Sequence, residues 1–426
     1  MYTLEDWVRH GDELRRPLLV SKGLVDSESL GIVGGGLSGL SLAYRIGLER
    51  PDLPIKLIEK TGRLGGVIET WREDEWICDI SVNAVRPHPS FWRLVDDLGM
   101  SDSFGPSRGI ASSRWIILRG GKHRISPATI LKIGAFGFLR GAFNSRKVGS
   151  SVLDVLQNRE IADAMTLGIV NDTADQVDAN FLFPSLTGFG PKAPVSRRSL
   201  QKKISKSYPI FTPRKGSLAS LEGGMEDIIR VLHDTISKMG NVEIILENGE
   251  GGPEELSSAY DIPISSMIWT SSLPGRDHGE TTLSVFAVGF QEEEVSGVEI
   301  GYGTLIPDPN TPISGILHES DIHSSRRAPE GHRLFRLMVP HTRWDGNEQT
   351  VREALRGLNG FSREPAIFRR IGERAIPRYP PGYLSSLKNY AGDLSIAGWT
   401  GSGVSVTHVV DEAERISELF TREQKD

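Results

Sequence analysis

Gly34, Gly36 and Gly39 stand in the run LGIVGGGLSGLSLAYRI with the spacing G-x-G-x-x-G. That spacing suits a pyrophosphate. The first glycine allows a tight turn, the second lets backbone approach the phosphates, and the third lets helix pack close to strand. The following helix then offers the anion its unpaired N–H groups and the positive end of its dipole. Glu59 closes a second apolar run, IKLIEK, twenty residues beyond Gly39. An acid there can accept hydrogen bonds from a ribose. A glycine motif alone is weak evidence, but strand, loop, helix, strand and acid in this order point to a dinucleotide. A second group with chemical potential is Arg114 in SSRWIILRGG, a fixed cation at the mouth of an apolar strand. By itself it reads as a solvated strand end.

These residues need elements to hold them. Leu30 to Val33 reads as a short buried strand, and Leu40, Ala43, Tyr44 and Leu48 fall at helical spacing after the glycines. Near the other end, LSIAGWTGSGVSVTHVVDEAERISELF runs strand, glycine loop, helix. Val409, Ala413, Ile416 and Phe420 form its apolar stripe, and Thr407 is the expected N-cap.

The 426 residues leave room for two or three domains. A net charge of −6 argues against a nucleic-acid partner. Cys78 is the single cysteine, so no disulfide forms within the chain, which fits a reducing compartment. Residues 1–29 are charged and lack the apolar core of a signal peptide, so they read as an N-terminal extension. No run is long and apolar enough for a membrane-spanning helix. The expected location is cytoplasmic or at a membrane surface, not secreted. The oligomeric state is not readable.

Other clusters carry less. His318, Glu319, Asp321 and His323 in HESDIH match no strong ligand spacing, so no metal site is expected. No nucleophile elbow supports hydrolase chemistry. Residues 128–147, ATILKIGAFGFLRGAFNSRK, interleave apolar residues with Lys132 and Arg140. Two cations are wrong for a span and suit an interface, whereas glycines 134, 137 and 141 argue for packing in a core.

TGRLGGVIET, directly after Glu59, resembles the R-x-G-G segment of the flavin amine oxidase superfamily. Further patches resemble one family within it, the oxygen-dependent protoporphyrinogen oxidases. They are ICDISVNAVRPHPSFWRLVDDLGM, SSRWIILRGGKHRISP, KGSLASLEGGMEDIIRVL, GYGTLIPDPNTPISGILHESD, AIPRYPPGYLSSL and IAGWTGSGVSV, in the family's order from about residue 30 to the C-terminus. Departures are Ser81-Val82 for a Gly-Pro, IVNDTAD (169–175) for a Tyr-Ala-Gly, Tyr383 for a histidine and Thr407-His408 for an Asn-Asp.

The resemblance implies an α/β fold. Its Rossmann-type FAD-binding domain is discontinuous, at 30–88, 212–274 and 391–426. A helical, membrane-contacting and substrate region spans 89–211, and a mixed-sheet substrate domain 275–390. FAD would be held non-covalently. Lys60, Arg63, Gly65, Gly66, Gly398, Gly403, Val404, Ser405 and Val406 join Gly34, Gly36, Gly39 and Glu59 as expected cofactor residues. The implied reaction is oxidation of protoporphyrinogen IX to protoporphyrin IX in haem biosynthesis. Hydride would pass to the flavin and oxygen would be reduced to hydrogen peroxide. Arg114 would bind a substrate propionate, residues 128–147 would touch the membrane, and no catalytic base is named. The alternatives are a coproporphyrinogen III oxidase, another flavin amine oxidase-type oxidoreductase, or a non-catalytic flavin- or porphyrin-binding protein.

Overall fold

A computed structural model of the chain describes residues 2–118, 120–126, 149–208, 218–272, 278–388 and 390–422. Strands β1 (Leu30–Val33), β2 (Ile55–Ile58), β9 (Val242–Ile245), β10 (Met267–Trp269) and β16 (Ser395–Ile396) form a five-stranded sheet. Its order is β16-β10-β1-β2-β9, and every neighbouring pair is parallel. LGIV is buried at all four positions because helices cover both faces of such a sheet. Helix α2 (Leu37–Glu49) returns from β1 to β2, whose register sets Val33 opposite Ile58. Nearly all of α2 is buried, but Leu48 is exposed. The stripe read from sequence thus ends one turn early, where the helix leaves the core.

Helices α1 (Leu4–His10), α3 (Pro89–Asp97), α4 (Glu226–Ile236) and α5 (Val406–Arg422) complete this half. The buried apolar residues of α5 are Val410, Ala413, Ile416 and Phe420. Val409 sits one position off that stripe. Residues 2–29 are packed in rather than trailing. Trp7, Leu14, Leu19 and Leu24 are buried, and the N–H of Ile396 donates to the Leu19 carbonyl at 2.8 Å. Arg415 on α5 donates to the carbonyls of Glu13 (2.9 Å) and Arg16 (3.1 Å).

A second, seven-stranded sheet has the order β15-β11-β14-β13-β12-β6-β7. Its members are β6 (Arg114–Leu118), β7 (Gly121–Arg124), β11 (Glu280–Gln291), β12 (Gly303–Leu305), β13 (Gly315–Leu317), β14 (His332–Pro340) and β15 (Ile367–Pro377). All its pairs are antiparallel except β12 with β6, so the mixed sheet expected from sequence is present. Two hairpin-sized sheets join the halves, β3 (Thr70–Glu73) with β4 (Trp76–Asp79), and β5 (Phe104–Pro106) with β8 (Ala219–Leu221). Short helices fill 152–207. Segment 128–147, with its expected membrane contact, lies outside the described residues. Among the described residues no helix is long and apolar enough to cross a membrane.

Candidate functional site: a dinucleotide cradle opening onto an apolar wall

The glycine loop is shaped by its own contacts. Gly34 turns with φ +109°, and its N–H donates to the Ile58 carbonyl at 2.8 Å. Thr270 clasps the turn, its hydroxyl donating to the carbonyls of Val33 (2.9 Å) and Gly34 (3.0 Å). A Cβ on Gly39 would lie 1.9 Å from the Gly34 carbonyl oxygen. Gly39 therefore lets helix meet strand and does not line the cavity. Gly36, directly before α2, is open: a Cβ there meets only the Gly66 Cα, at 3.9 Å. The first N–H groups of α2 have no partners within the helix. They point where Gly34, Gly36 and Ser38 line a cavity of about 730 Å³. The Ser38 hydroxyl is buried without a partner among the described residues.

Glu59 lines the same cavity at the end of β2. One carboxylate oxygen accepts the Gly35 N–H at 2.7 Å. The other accepts the N–H (2.9 Å) and hydroxyl (2.8 Å) of Thr61. The carboxylate is thus fixed, with one lone pair left for a ribose hydroxyl. Gly65 donates to the Gly35 carbonyl at 2.8 Å, which ties the R-x-G-G segment to the glycine loop. Arg63 spends its guanidinium on the carbonyls of Leu64 (3.2 Å), Ile68 (3.3 Å) and Gly66, and so shapes that segment's turn while lining the cavity.

The cavity gathers Lys60, Gly65, Gly66, Gly403, Val404 and Val406 with these groups. Gly398 and Ser405 stand behind its wall. Gly398 abuts Ser38 and donates its N–H to Glu412. Ser405 directly precedes α5, and its carbonyl accepts the Val409 N–H at 3.1 Å. The helix begins at Val406, so Ser405 takes the position before it and Thr407 falls inside. Val409 is absent from the core stripe because it faces this cavity.

Beyond the cradle the cavity continues along the seven-stranded sheet. Leu283 and Val285 of β11, Met338 of β14 and Ile376 of β15 form an apolar wall, joined by Ile80, Val82 and Ile169. Two arginines flank it, and neither stood out in the sequence. Arg336 is buried, donates to the carbonyls of Asp79 and Ser81, and pairs with Glu319 at 3.0 Å. Arg374 donates to Ser81 Oγ at 2.8 Å and to Glu69 at 2.6 Å. The available signal was period two. Arg336 shares a strand face with Met338, and Arg374 with Ile376.

The HESDIH cluster pairs with two arginines of β14, Arg336 and Arg333. Burial opposes the charge of Glu319, yet Arg336, and after it His323 at 2.8 Å, hold its carboxyl down at about 2. Asp321 pairs with Arg333 at 2.9 Å. Tyr383 is buried against Phe181 and Tyr379, away from the cavity. In 169–175, Ile169 lines the cavity and Asp172 accepts from Arg378 at 3.2 Å.

Arg114 does not line the cavity. It is exposed at the start of β6, with its guanidinium 4.7 Å from the Tyr302 ring centroid. Three strand spacings, about 14 Å, separate β6 from the cavity-lining β14.

Comparison with known proteins fits this arrangement. Residues 32–98 match the NAD(P)-binding Rossmann-like domain. The chain is 21% identical to coproporphyrinogen III oxidase of Staphylococcus aureus, over 85% of this chain and 91% of that protein. It is 23% identical to protoporphyrinogen oxidase 2, chloroplastic/mitochondrial, of Arabidopsis thaliana, covering 91% and 94%. A crystal structure from Exiguobacterium sp. 255-15, provisionally assigned as a protoporphyrinogen oxidase, superposes with a TM-score of 0.66 at 18% identity, covering 93% and 99%. Cyclohexylamine oxidase from Brevibacterium oxydans gives 0.61 at 14% identity, covering 94% and 100%. The chain thus has the flavin amine oxidase fold and is similar to porphyrinogen oxidases along most of its length. With a dinucleotide cradle in that fold, it is an oxidoreductase that takes FAD.

Proposed function

We propose that the chain oxidises protoporphyrinogen IX to protoporphyrin IX, with oxygen as the final acceptor. The observation that carries this reading is the continuity of one cavity, from the Glu59 and Gly36 cradle to the apolar wall of Leu283, Val285, Met338 and Ile376. Bound FAD would supply two-electron acceptance from a methylene bridge of the macrocycle, and transfer of those electrons to oxygen. The chain's own residues bind, orient and shield. Glu59 would hold a ribose hydroxyl, and the N-terminus of α2 with Ser38 the pyrophosphate. Val404 and Val406 would bound the flavin end.

The apolar wall would take the flat ring of the substrate and exclude water from it. Arg114 is exposed on the same sheet and would pair with a propionate reaching past the ring, through two parallel hydrogen bonds. Among the described residues no side chain on the wall suits a general base. Both arginines are ion-paired or hydrogen-bonded, and Glu280 is engaged by His278 at 3.1 Å. The working place would be the cytoplasm or a membrane surface.

A second reading, coproporphyrinogen III oxidation, is favoured by Arg374. It lines the cavity and could meet a further carboxylate of a four-carboxylate substrate. Aerobic turnover of the two porphyrinogens, followed by porphyrin fluorescence and peroxide release, separates the readings. Faster turnover of protoporphyrinogen supports the first, faster turnover of coproporphyrinogen the second, and turnover of neither overturns both.

A further inference from the structure

Arg16 belongs to the segment that precedes the nucleotide-binding fold, yet it ends beside the cavity. The short 3-10 turn Gly11–Arg15 brings it there, and Arg415 on α5 fixes its carbonyl. Its side chain is only 5% exposed. One guanidinium nitrogen, Nη2, donates to the Phe181 carbonyl at 3.0 Å, and the group lies 5.4 Å from the Phe181 ring centroid. The other terminal nitrogen, Nη1, is buried and has no partner among the described residues. It faces Gly403: a Cβ built on that glycine would sit 3.6 Å from Nη1. Gly403 itself lines the cavity. Charge and cavity are thus separated by one thickness of backbone that carries no side chain.

Among the described residues the charge has no counter-ion in contact. The nearby Glu13 is already engaged, by Arg86 at 2.8 Å and by His88 and His408 at 2.9 Å each. Glu412 accepts the Gly398 N–H, and burial raises its carboxyl to about 7, which makes it a weak partner. A buried guanidinium with a free donor and no carboxylate in contact is costly unless something else completes it. What lies on the far side of Gly403 is the cavity end formed by Val404 and Val406. There the N-terminus of the 17-residue α5 adds its own positive dipole end.

This end is opposite the acid. Glu59 would anchor the adenosine ribose and Gly36 the pyrophosphate, so the remaining length of an extended FAD runs towards Gly403. The pyrimidine edge of a flavin presents carbonyl acceptors and gains negative charge when the ring is reduced. We propose that Arg16 is the cation serving that edge, so that the N-terminal segment completes the cofactor site electrostatically. The inference rests on the FAD reading above. It gives residues 2–16 a function beyond packing, because the charge they deliver would favour reduction of the bound flavin.

The test uses the full-length holoprotein and two properties of the flavin itself. These are the ionisation of its N3–H, read from the absorption spectrum against pH, and its two-electron midpoint potential. A cation at roughly 6 Å and an effective dielectric of about 20 shifts a neighbouring ionisation by about 10- to 100-fold. Wild-type N3–H should therefore ionise below the value for free FAD. Arg16→Met should make that ionisation at least about tenfold harder and lower the midpoint potential by about 30 mV, the equivalent of tenfold for a two-electron couple. Arg16→Lys should retain most of the wild-type behaviour. Arg16→Gln keeps a donor for the Phe181 carbonyl and should behave like Arg16→Met. It gives the same answer should the methionine variant fail to fold. A yellow protein whose N3–H ionises no lower than in free FAD overturns the proposal. So do charge-removing variants with unchanged spectra and potential, for then Arg16 only anchors Phe181. A protein that binds no FAD would instead overturn the cofactor reading.

Discussion

Gly36→Ala and Gly39→Ala add the same methyl group three residues apart, and the structure predicts opposite failures. On Gly39 the new carbon would lie 1.9 Å from the Gly34 oxygen and 3.1 Å from its carbonyl carbon, both backbone atoms. No rotamer relieves that contact, so α2 must move off β1 by roughly an ångström. Overpacking of this kind costs about 1–3 kcal/mol, and an obstacle made of backbone puts it at the upper end. For a cooperative unit of about 150–250 residues, 3 kcal/mol lowers the melting temperature by about 6–12 °C.

On Gly36 the nearest atom is 3.9 Å away and φ is −71°, so alanine fits the fold. The cost is a poorer helix cap, at most about 1 kcal/mol, or less than about 4 °C. Its methyl would nevertheless stand where backbone must approach the pyrophosphate. Losing one or two charge-assisted hydrogen bonds there should weaken FAD binding by about 10- to 100-fold. Thermal melts of the apoproteins and fluorescence titration with FAD measure the two effects separately. Gly36→Ala binding FAD as tightly as wild type would refute the placement of the pyrophosphate. Gly39→Ala melting like wild type would refute the packing argument.

Glu59→Ala should raise the FAD dissociation constant about 10- to 100-fold, because it removes the ribose acceptor and frees Gly35. Thr61→Val, which strips only one donor from Glu59, should cost less than tenfold by the same titration. Arg114→Ala should lower kcat/KM for protoporphyrinogen by about 10- to 100-fold, mainly through KM, with Arg114→Lys rescuing partly because an ammonium lacks the planar fork. Wild-type kinetics in both variants would leave Arg114 a solvated strand end stacked on Tyr302. His10 tests the N-terminal segment through pH. Burial opposes its charge, but hydrogen bonds to Asp411 and Glu418 outweigh burial and raise its pKa from 6.5 to about 9. The folded-state pKa is raised, so the stabilisation is full below the unfolded value and is lost as pH rises through about 9. The melting-temperature gap between wild type and His10→Gln should therefore be widest near pH 6 and close towards pH 9.5. A gap that does not change with pH contradicts this.

What the sequence disclosed is what short-range chemistry determines. The turn at Gly34, the close approach at Gly39 and the acid at Glu59 lie within one strand–helix–strand unit, so their spacing alone carries the information. The discontinuity of the parallel sheet was legible because its last strand and helix repeat that local pattern. Arg336 and Arg374 were hidden because their place depends on β11, β14 and β15 pairing across long stretches of chain. In the sequence each is one more charge on a strand. Residues 1–29 read as an extension because their apolar positions find partners only far along the chain, Trp7 and Leu14 with Leu200, and Leu19 with Phe181, Tyr379 and Ile396. Val409 was misplaced in the core stripe because a helix that borders both core and cavity has two apolar faces, and periodicity does not distinguish them.

The central claim is that one cavity joins an FAD cradle to a porphyrinogen wall. Its most direct test is anaerobic mixing of the yellow holoprotein with protoporphyrinogen, coproporphyrinogen and a panel of amines in parallel, following the flavin absorbance. Protoporphyrinogen should bleach the flavin in step with the appearance of porphyrin fluorescence, while the amines leave it yellow. Bleaching by an amine, with both porphyrinogens inert, would contradict that claim.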